Sequence, residues 1–241
     1  EKNCHKGQLF YVKREDAVMI HIMHNVKRLS AEIINAYRNE SSATIHEAMG
    51  RRGAINSTIH QLAPGMKVIG NALTVRCHSA DNIMLIKAIN MAQPGDVIVA
   101  DMGGAPMAGP FGEVAATECV VKKVAGLVLN SCIRDTKEVV ELGFPVFCAG
   151  KGISGTAKAT LGTINHPIAF GDQIICPGDL ILGDADGLVV VAHDEVDEVL
   201  KLSQQRTKKE AKVMEKLRNG ESLFDLYGYQ EVLDRLGCIE E

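Results

Sequence analysis

Residues 112–135 read Gly112-Glu-Val-Ala-Ala-Thr-Glu-Cys-Val-Val-Lys-Lys-Val-Ala-Gly-Leu-Val-Leu-Asn-Ser-Cys-Ile-Arg-Asp135. A small-residue turn opens the stretch and a helix over 113–123 follows. Gly126–Leu129 has the continuous apolar character of a buried strand, and an Arg-Asp pair stands where that strand ends. Glu113 and Arg134 are 21 positions apart, so a helix and a strand between them can fold back and bring the two together. Backbone N–H groups at Gly112–Ala115 would then face the same place. Two carboxylates, Glu113 and Asp135, beside the Arg134 guanidinium suit a divalent cation next to an anionic substrate.

Working outward, helix and strand patterns alternate. Pro94-Gly95-Asp96 turns into the strand Val97–Ala100, and a helix Thr136–Leu142 leads through Gly143-Phe-Pro145 to Val146–Cys148. Pro177-Gly178-Asp179-Leu-Ile-Leu-Gly-Asp184 matches Pro94-Gly95-Asp96-Val-Ile-Val-Ala-Asp101 almost position for position. Asp186-Gly187 is a hairpin turn into Leu188–Ala192. An amphipathic helix is expected over 81–91, and one or two helices over 14–37 after a polar entry that holds Leu9–Val12. The loop 102–111 carries Gly103, Gly104 and Gly109, but has neither the spacing of a dinucleotide loop nor a phosphate-loop lysine. From Glu195 the pattern becomes a long charged helix to about Leu217, with a short amphipathic helix in the tail. The expected divisions are an N-terminal helical or extended segment 1–40, a core 41–195, and C-terminal helices 196–241 that reach a neighbouring subunit.

A net charge of −4 and a pI near 6.1 give no basic field for nucleic acid. Ten aromatic residues, none of them Trp, offer no base-stacking surface. No run of 18 apolar residues is present to span a membrane, and no signal-peptide pattern opens the chain, so a cytoplasmic protein is expected. The seven cysteines are odd in number and lack a C-x-x-C pair. They read as free, mostly buried thiols rather than as zinc ligands or a disulfide framework. His21 and His24 read as part of a solvated helix face. His46 and Glu47 follow a serine helix start at Ser41-Ser42, and are either a surface pair or proton-transfer groups at the pocket.

These residues resemble a known family. Ala43-Thr-Ile-His-Glu-Ala-Met-Gly-Arg-Arg-Gly53, Leu62-Ala-Pro-Gly65, Thr74-Val-Arg-Cys77, Asp81-Asn82 and Pro94-Gly-Asp96 carry the likeness. So do Glu113 followed by Arg134-Asp135 and Gly143-Phe-Pro145, and further on Leu161–Asn165, Asp184–Gly187, Lys209-Glu210 and Asp225-Leu-Tyr-Gly228. The chain is similar over about 41–230 to the class II pyruvate aldolases that cleave 4-hydroxy-4-methyl-2-oxoglutarate or 4-carboxy-4-hydroxy-2-oxoadipate. That family shares its fold with the RraA regulators of ribonuclease E. Glu113 stands where an Asp is common, and Asn130-Ser131 replaces a frequent Asp-Gly.

The resemblance implies an α/β fold, an αββα layered sandwich with an RraA-like, swivelling-domain-like core, assembled as a homotrimer or homohexamer. It implies that Asp135 ligates Mg²⁺ or Mn²⁺, with Glu113 holding water around the ion. Arg134 would pair with the carboxylate or oxo group of a 2-oxo acid, and the N–H groups at Gly112, Val114 and Ala115 would bind its oxygens. Glu210 would complete a neighbour's site, with His46 and Glu47 bordering the pocket. The implied reaction is retro-aldol cleavage to pyruvate, with oxaloacetate decarboxylation as a side activity, in the breakdown of aromatic compounds. The alternatives are a Schiff-base lysine (Lys122, Lys123, Lys151 or Lys158), a non-enzymatic regulator that binds a ribonuclease, and a phosphohistidine domain using His166. The last lacks the Gly-rich context of an active histidine.

Overall fold

Four runs rich in Val, Ile and Leu become neighbouring parallel strands because they bury both faces, which suits a parallel sheet. The computed structural model describes residues 20–239; the polar entry and the start of the helix expected from 14 lie outside them. The first elements are β1 (His21–Ile22), α1 (Ala31–Ala36), α2 (Ser42–Ala48), β2 (His60–Gln61), β3 (Val68–Arg76), α3 (Ile83–Met91) and β4 (Asp96–Asp101). Next come α4 (Glu113–Val121), β5 (Gly126–Leu129), β6 (Cys132–Ile133), α5 (Thr136–Glu141), β7 (Val146–Cys148), β8 (Gly150–Lys151) and β9 (Thr163–Ile164). The chain ends with β10 (Ile168–Phe170), β11 (Gln173–Ile175), β12 (Leu180–Gly183), β13 (Leu188–Val191), α6 (Val196–Arg218), α7 (Leu223–Leu226) and α8 (Tyr229–Leu236).

β3, β4, β5 and β7 run parallel in that order. The other edge of β3 is divided. β12 pairs with it antiparallel at 68–71 and carries β13, while β9 takes positions 75–76 and carries β1. Alternation along the strands sorts the core into layers. Leu73, Val75, Ile98, Ala100, Leu127 and Leu129 face α3, α4 and α5. Val68, Ala72, Val97, Val99 and Val128 face the other way, toward Ile168, Phe170, Ile175, Ile181 and Leu188. The outer side of β12–β13, Leu180, Leu182, Val189 and Val191, packs on Tyr37, Ile45, Val196 and Val199 of the N-terminal helices and α6. Helices, sheet, a second strand layer and outer helices follow one another, which is the αββα order.

The repeated turn has a physical meaning. Gly95 and Gly178 take φ of +85° and +86°, which an L side chain rarely adopts. In each turn the aspartate accepts a backbone N–H three residues back, Gln93 to Asp96 at 2.9 Å and Cys176 to Asp179 at 2.8 Å. Both turns then meet β3 at Asn71–Ala72 and launch strands on its opposite edges.

The helix expected over 14–37 is not what residues 20–37 form. His21–Ile22 is a strand, residues 23–30 have no regular secondary structure, and only Ala31–Ala36 is α-helical. Tertiary partners override the local pattern here. Arg28 is held by Asp96 through two hydrogen bonds of 2.7 and 2.9 Å, and the Leu29 N–H donates to Asn71. His21 is therefore not on a helix face with His24. Its Nδ1 lies 2.9 Å from His166 Nε2. Cys176 is disulfide-bonded, which corrects the reading of the cysteines as free thiols throughout. Such pairing depends on long-range placement, which spacing does not reveal.

Candidate active site

Residues 130–134 fasten the glycine-rich loop one position after another, and this brings the two halves of the opening stretch together. Met102 N–H donates to Asn130 Oδ1 at 2.7 Å, and Asn130 Nδ2 donates to Asp101 at 2.9 Å. The Ser131 hydroxyl reaches the carbonyls of Ala105 and Ala108 at 2.6 and 2.8 Å. Cys132 N–H donates to Pro106 O and Arg134 N–H to Phe111 O, each at 3.0 Å. Asn82 closes the other side by donating to Pro110 O at 2.8 Å. A loop rich in glycine is thereby held in one shape up to the first turn of α4.

Asp135 follows immediately, with φ +52° and ψ +40°, a left-handed conformation that Asp tolerates better than most residues. Its Oδ2 accepts the Glu113 N–H at 3.1 Å, at the start of α4. Arg134 Nε lies 3.8 Å from the same oxygen, with the Arg134 and Asp135 side chains 53% and 41% exposed. Gly112 is required beneath them: a Cβ there would meet Asp135 Oδ2 at 2.2 Å and Arg134 Cγ at 3.0 Å. The N-cap residue Gly112 has no side chain to cap α4, so beyond the Glu113 N–H taken by Asp135 the N–H groups of Val114 and Ala115 join the helix dipole in favouring an anion at this point.

The donor set fits a small hard cation. Asp135 Oδ1 takes no hydrogen bond from the described residues, and a second carboxylate belongs to the residue whose N–H Asp135 holds. No three His, Cys, Asp or Glu side chains converge among the described residues. One or two carboxylates with several waters is the arrangement Mg²⁺ accepts, whereas a structural zinc site needs four ligands.

Around this centre the support is polar, and among the described residues the buried Asn82 Oδ1 is left without a hydrogen-bond partner. Burial pushes the Asp81 carboxyl up, but N–H donors from Ala159, Ile83 and Thr160 outweigh it and hold it below the usual range. That carboxylate ties the segment 157–160 to the base of the site. Two clefts of about 520 and 350 Å³ lie elsewhere, along His24–Ile33, and neither includes Glu113, Arg134 or Asp135. In a single chain the site is an open shelf, with Val114 86% exposed at its rim.

His46, Glu47 and Glu210 are placed apart from it. They sit on α2 and α6, which pack on the outer side of β12–β13, while α4 and α5 cover the opposite side of the sheet. His46 Nδ1 donates to the Arg52 carbonyl at 2.8 Å. Glu47 and Glu210 share Arg206, at 3.7 and 2.7 Å. Sequence reasoning did not single out Arg206; the available signal was its position one turn before Glu210. Ser131, noted only as a departure from a pattern, is the residue that ties down the loop.

Lys123, Lys151 and Lys158 are exposed, and Lys122 Nζ donates to the Asn90 carbonyl, so none lies in an apolar enclosure. Burial pushes the Cys77 and Cys119 thiols up to about 12, which keeps both protonated at neutral pH.

A model of the RraA-like family, described as Aldolase/RraA, matches residues 42–190. A Halalkalibacterium halodurans protein named "Putative 4-hydroxy-4-methyl-2-oxoglutarate aldolase" is 37% identical over 73% of this chain and 83% of its own length. The crystal structure of Streptomyces coelicolor RraAS2, titled an unusual member of the RNase ES inhibitor RraA protein family, aligns with a TM-score of 0.70. It is 29% identical and covers 78% of this chain and 98% of that one. An uncharacterized protein from Pseudomonas syringae pv. tomato aligns with a TM-score of 0.72 over 83% of this chain and 98% of its own; at 22% identity it speaks for the fold alone.

Proposed function

The chain belongs to the RraA-like family, and from that footing we propose that it cleaves a 4-hydroxy-2-oxo acid by a retro-aldol reaction. The substrates in view are 4-hydroxy-4-methyl-2-oxoglutarate and 4-carboxy-4-hydroxy-2-oxoadipate, giving pyruvate with pyruvate or oxaloacetate. The observation that carries the reading is the Asp135 carboxylate seated on the Glu113 N–H, with Arg134 beside it and no side chain at Gly112.

In this reading Arg134 pairs with the substrate's carboxylate or 2-oxo oxygen. As the C3–C4 bond breaks, its electron pair moves toward the 2-oxo oxygen. The Arg134 guanidinium and the Val114 and Ala115 N–H groups meet that developing charge without reorganising. The C4 hydroxyl proton must leave at the same time; a water oriented by Glu113, His46 or Glu47 would receive it, with Glu210 completing a neighbour's site. His46, Glu47 and Glu210 lie on the far side of the layers from Arg134, a placement that in this reading would be used by the site of a second copy in a homotrimer or homohexamer. Mg²⁺ or Mn²⁺ held by Asp135, with Glu113 beside it, would supply Lewis-acid charge at the 2-oxo and carboxylate oxygens. Decarboxylation of oxaloacetate places charge on the same oxygen and should accompany the cleavage.

The test is pyruvate release from both hydroxy acids and from oxaloacetate, with Mg²⁺ and with EDTA, for wild type, Asp135→Ala and Arg134→Ala. Turnover that needs metal and is lost in both variants is expected. A second reading, a regulator that binds a ribonuclease, is favoured by the likeness to RraAS2. It predicts no turnover on any of these compounds, with or without metal.

A further inference from the structure

We propose that Arg206 is a positioning residue, holding Glu47 and Glu210 as one proton-handling pair; the inference rests on the retro-aldol reading above. Arg206 uses two different nitrogens for two carboxylates on two helices. Its Nε meets Glu210 Oε1 at 2.7 Å on α6, and a terminal nitrogen, Nη1, meets Glu47 Oε2 at 3.7 Å on α2. The other Glu47 oxygen, Oε1, lies 3.4 Å from Arg51 Nε. Each glutamate therefore has a cation within ion-pair distance of a stated oxygen, and Arg206 is the cation the two share.

Helix stability alone does not account for this. Along α6 the cation precedes the acid at i, i+4, the weaker order for such a pair, because the acid gains more near the N-terminus. The side chains are 41%, 35% and 38% exposed for Arg206, Glu47 and Glu210, so each ion pair contributes little to folding. The same exposure leaves both carboxylates accessible to a substrate. A third acid lies close in space to the pair's anchor: Thr207, next to Arg206, donates to Glu40 Oε2 at 3.4 Å. Burial pushes the Glu40 carboxyl up. Without the guanidinium, Glu47 and Glu210 would repel each other and separate. What Arg206 fixes is the distance between two candidate bases.

The experiment compares Arg206→Gln, Arg206→Lys, Glu210→Gln and the double variant Arg206→Gln/Glu210→Gln. Each is assayed in its assembled form with oxaloacetate and 4-hydroxy-4-methyl-2-oxoglutarate. For Arg206→Gln, kcat should fall about tenfold to a hundredfold, below the 10²–10⁴ that losing a proton-transfer group itself costs. KM and the melting temperature should stay near wild type, and Lys should restore part of the loss. The double variant should be no worse than Glu210→Gln, because residues that act through each other are not additive. A wild-type kcat in Arg206→Gln, a loss that matches only the unfolded fraction, or an additive double variant would each overturn the role. Absence of turnover in the wild type is a different result: it removes the reading itself and this inference with it.

Discussion

Asp135 and Glu113, 22 residues apart, meet at 3.1 Å through a carboxylate oxygen and a backbone N–H rather than side chain to side chain. That contact orients the Asp135 carboxylate at the start of α4, beside Arg134. It depends on the left-handed backbone at Asp135 and on the bare Cα of Gly112. The centre is therefore built from main chain as much as from acidic side chains, and it is sensitive to changes that leave every charge in place.

Gly112→Ala tests that sensitivity. The φ of −158° at Gly112 is extended and suits alanine, so the obstacle is the methyl group alone, 2.2 Å from Asp135 Oδ2. Asp135 must move by about 1 Å, and displacement on that scale costs on the order of a hundredfold in rate. The clashing atom is the tip of a side chain 41% exposed, which can swing into solvent, so the melting temperature should stay near wild type. Pyruvate release and thermal melting on one preparation check both. Unchanged kcat/KM would mean that Asp135 is not held where the reaction needs it.

Asp96→Ala tests the strap that replaces the expected helix. Asp96 is 1% exposed and Arg28 20%, joined through two nitrogens, and the same carboxylate accepts the Gln93 N–H. Removing the acid leaves a part-buried guanidinium and the Gln93 N–H without their acceptor, which should cost about 1–3 kcal/mol. The double variant Asp96→Leu/Arg28→Met should recover part of that, since it leaves no buried charge. Urea midpoints decide the matter, and a loss under about 1 kcal/mol for the single variant would show the pair to be ornamental.

The parallel strands, the turns at Pro94 and Pro177, and the helix from Glu113 were legible because period, Gly and Asp all argue locally. The meeting of Glu113 with Arg134-Asp135 was legible from spacing alone. The path of residues 20–30 was not, because its partners Asp96, Asn71 and His166 are 42 or more residues distant, and local apolar spacing imitates a helix. Arg206 escaped notice for a related reason. A charged residue on a charged helix looks like a solvated face until α2 is laid beside it.

The pair of His21 and His166 carries a pH signature. Burial, and then the neighbouring His21 ring, hold the His166 imidazole below its ordinary 6.5. At 2.9 Å the two ring nitrogens share one proton, which requires one neutral ring. In the unfolded chain His166 takes up a proton as pH falls through about 6.5, whereas in the fold it resists until lower pH. The unfolded state then binds more protons, so stability falls as pH drops below about 6.5. The loss levels off only once folded His166 also protonates. Thermal melting from pH 8 to 5 at fixed ionic strength should show that decline, and His166→Gln should remove part of it. Parallel curves for the two proteins would mean that the acid sensitivity arises elsewhere. A strap that loosens with the pair should also expose the amide of Met23, which donates to the Ile164 carbonyl beside it at 3.1 Å, to faster hydrogen exchange at acid pH.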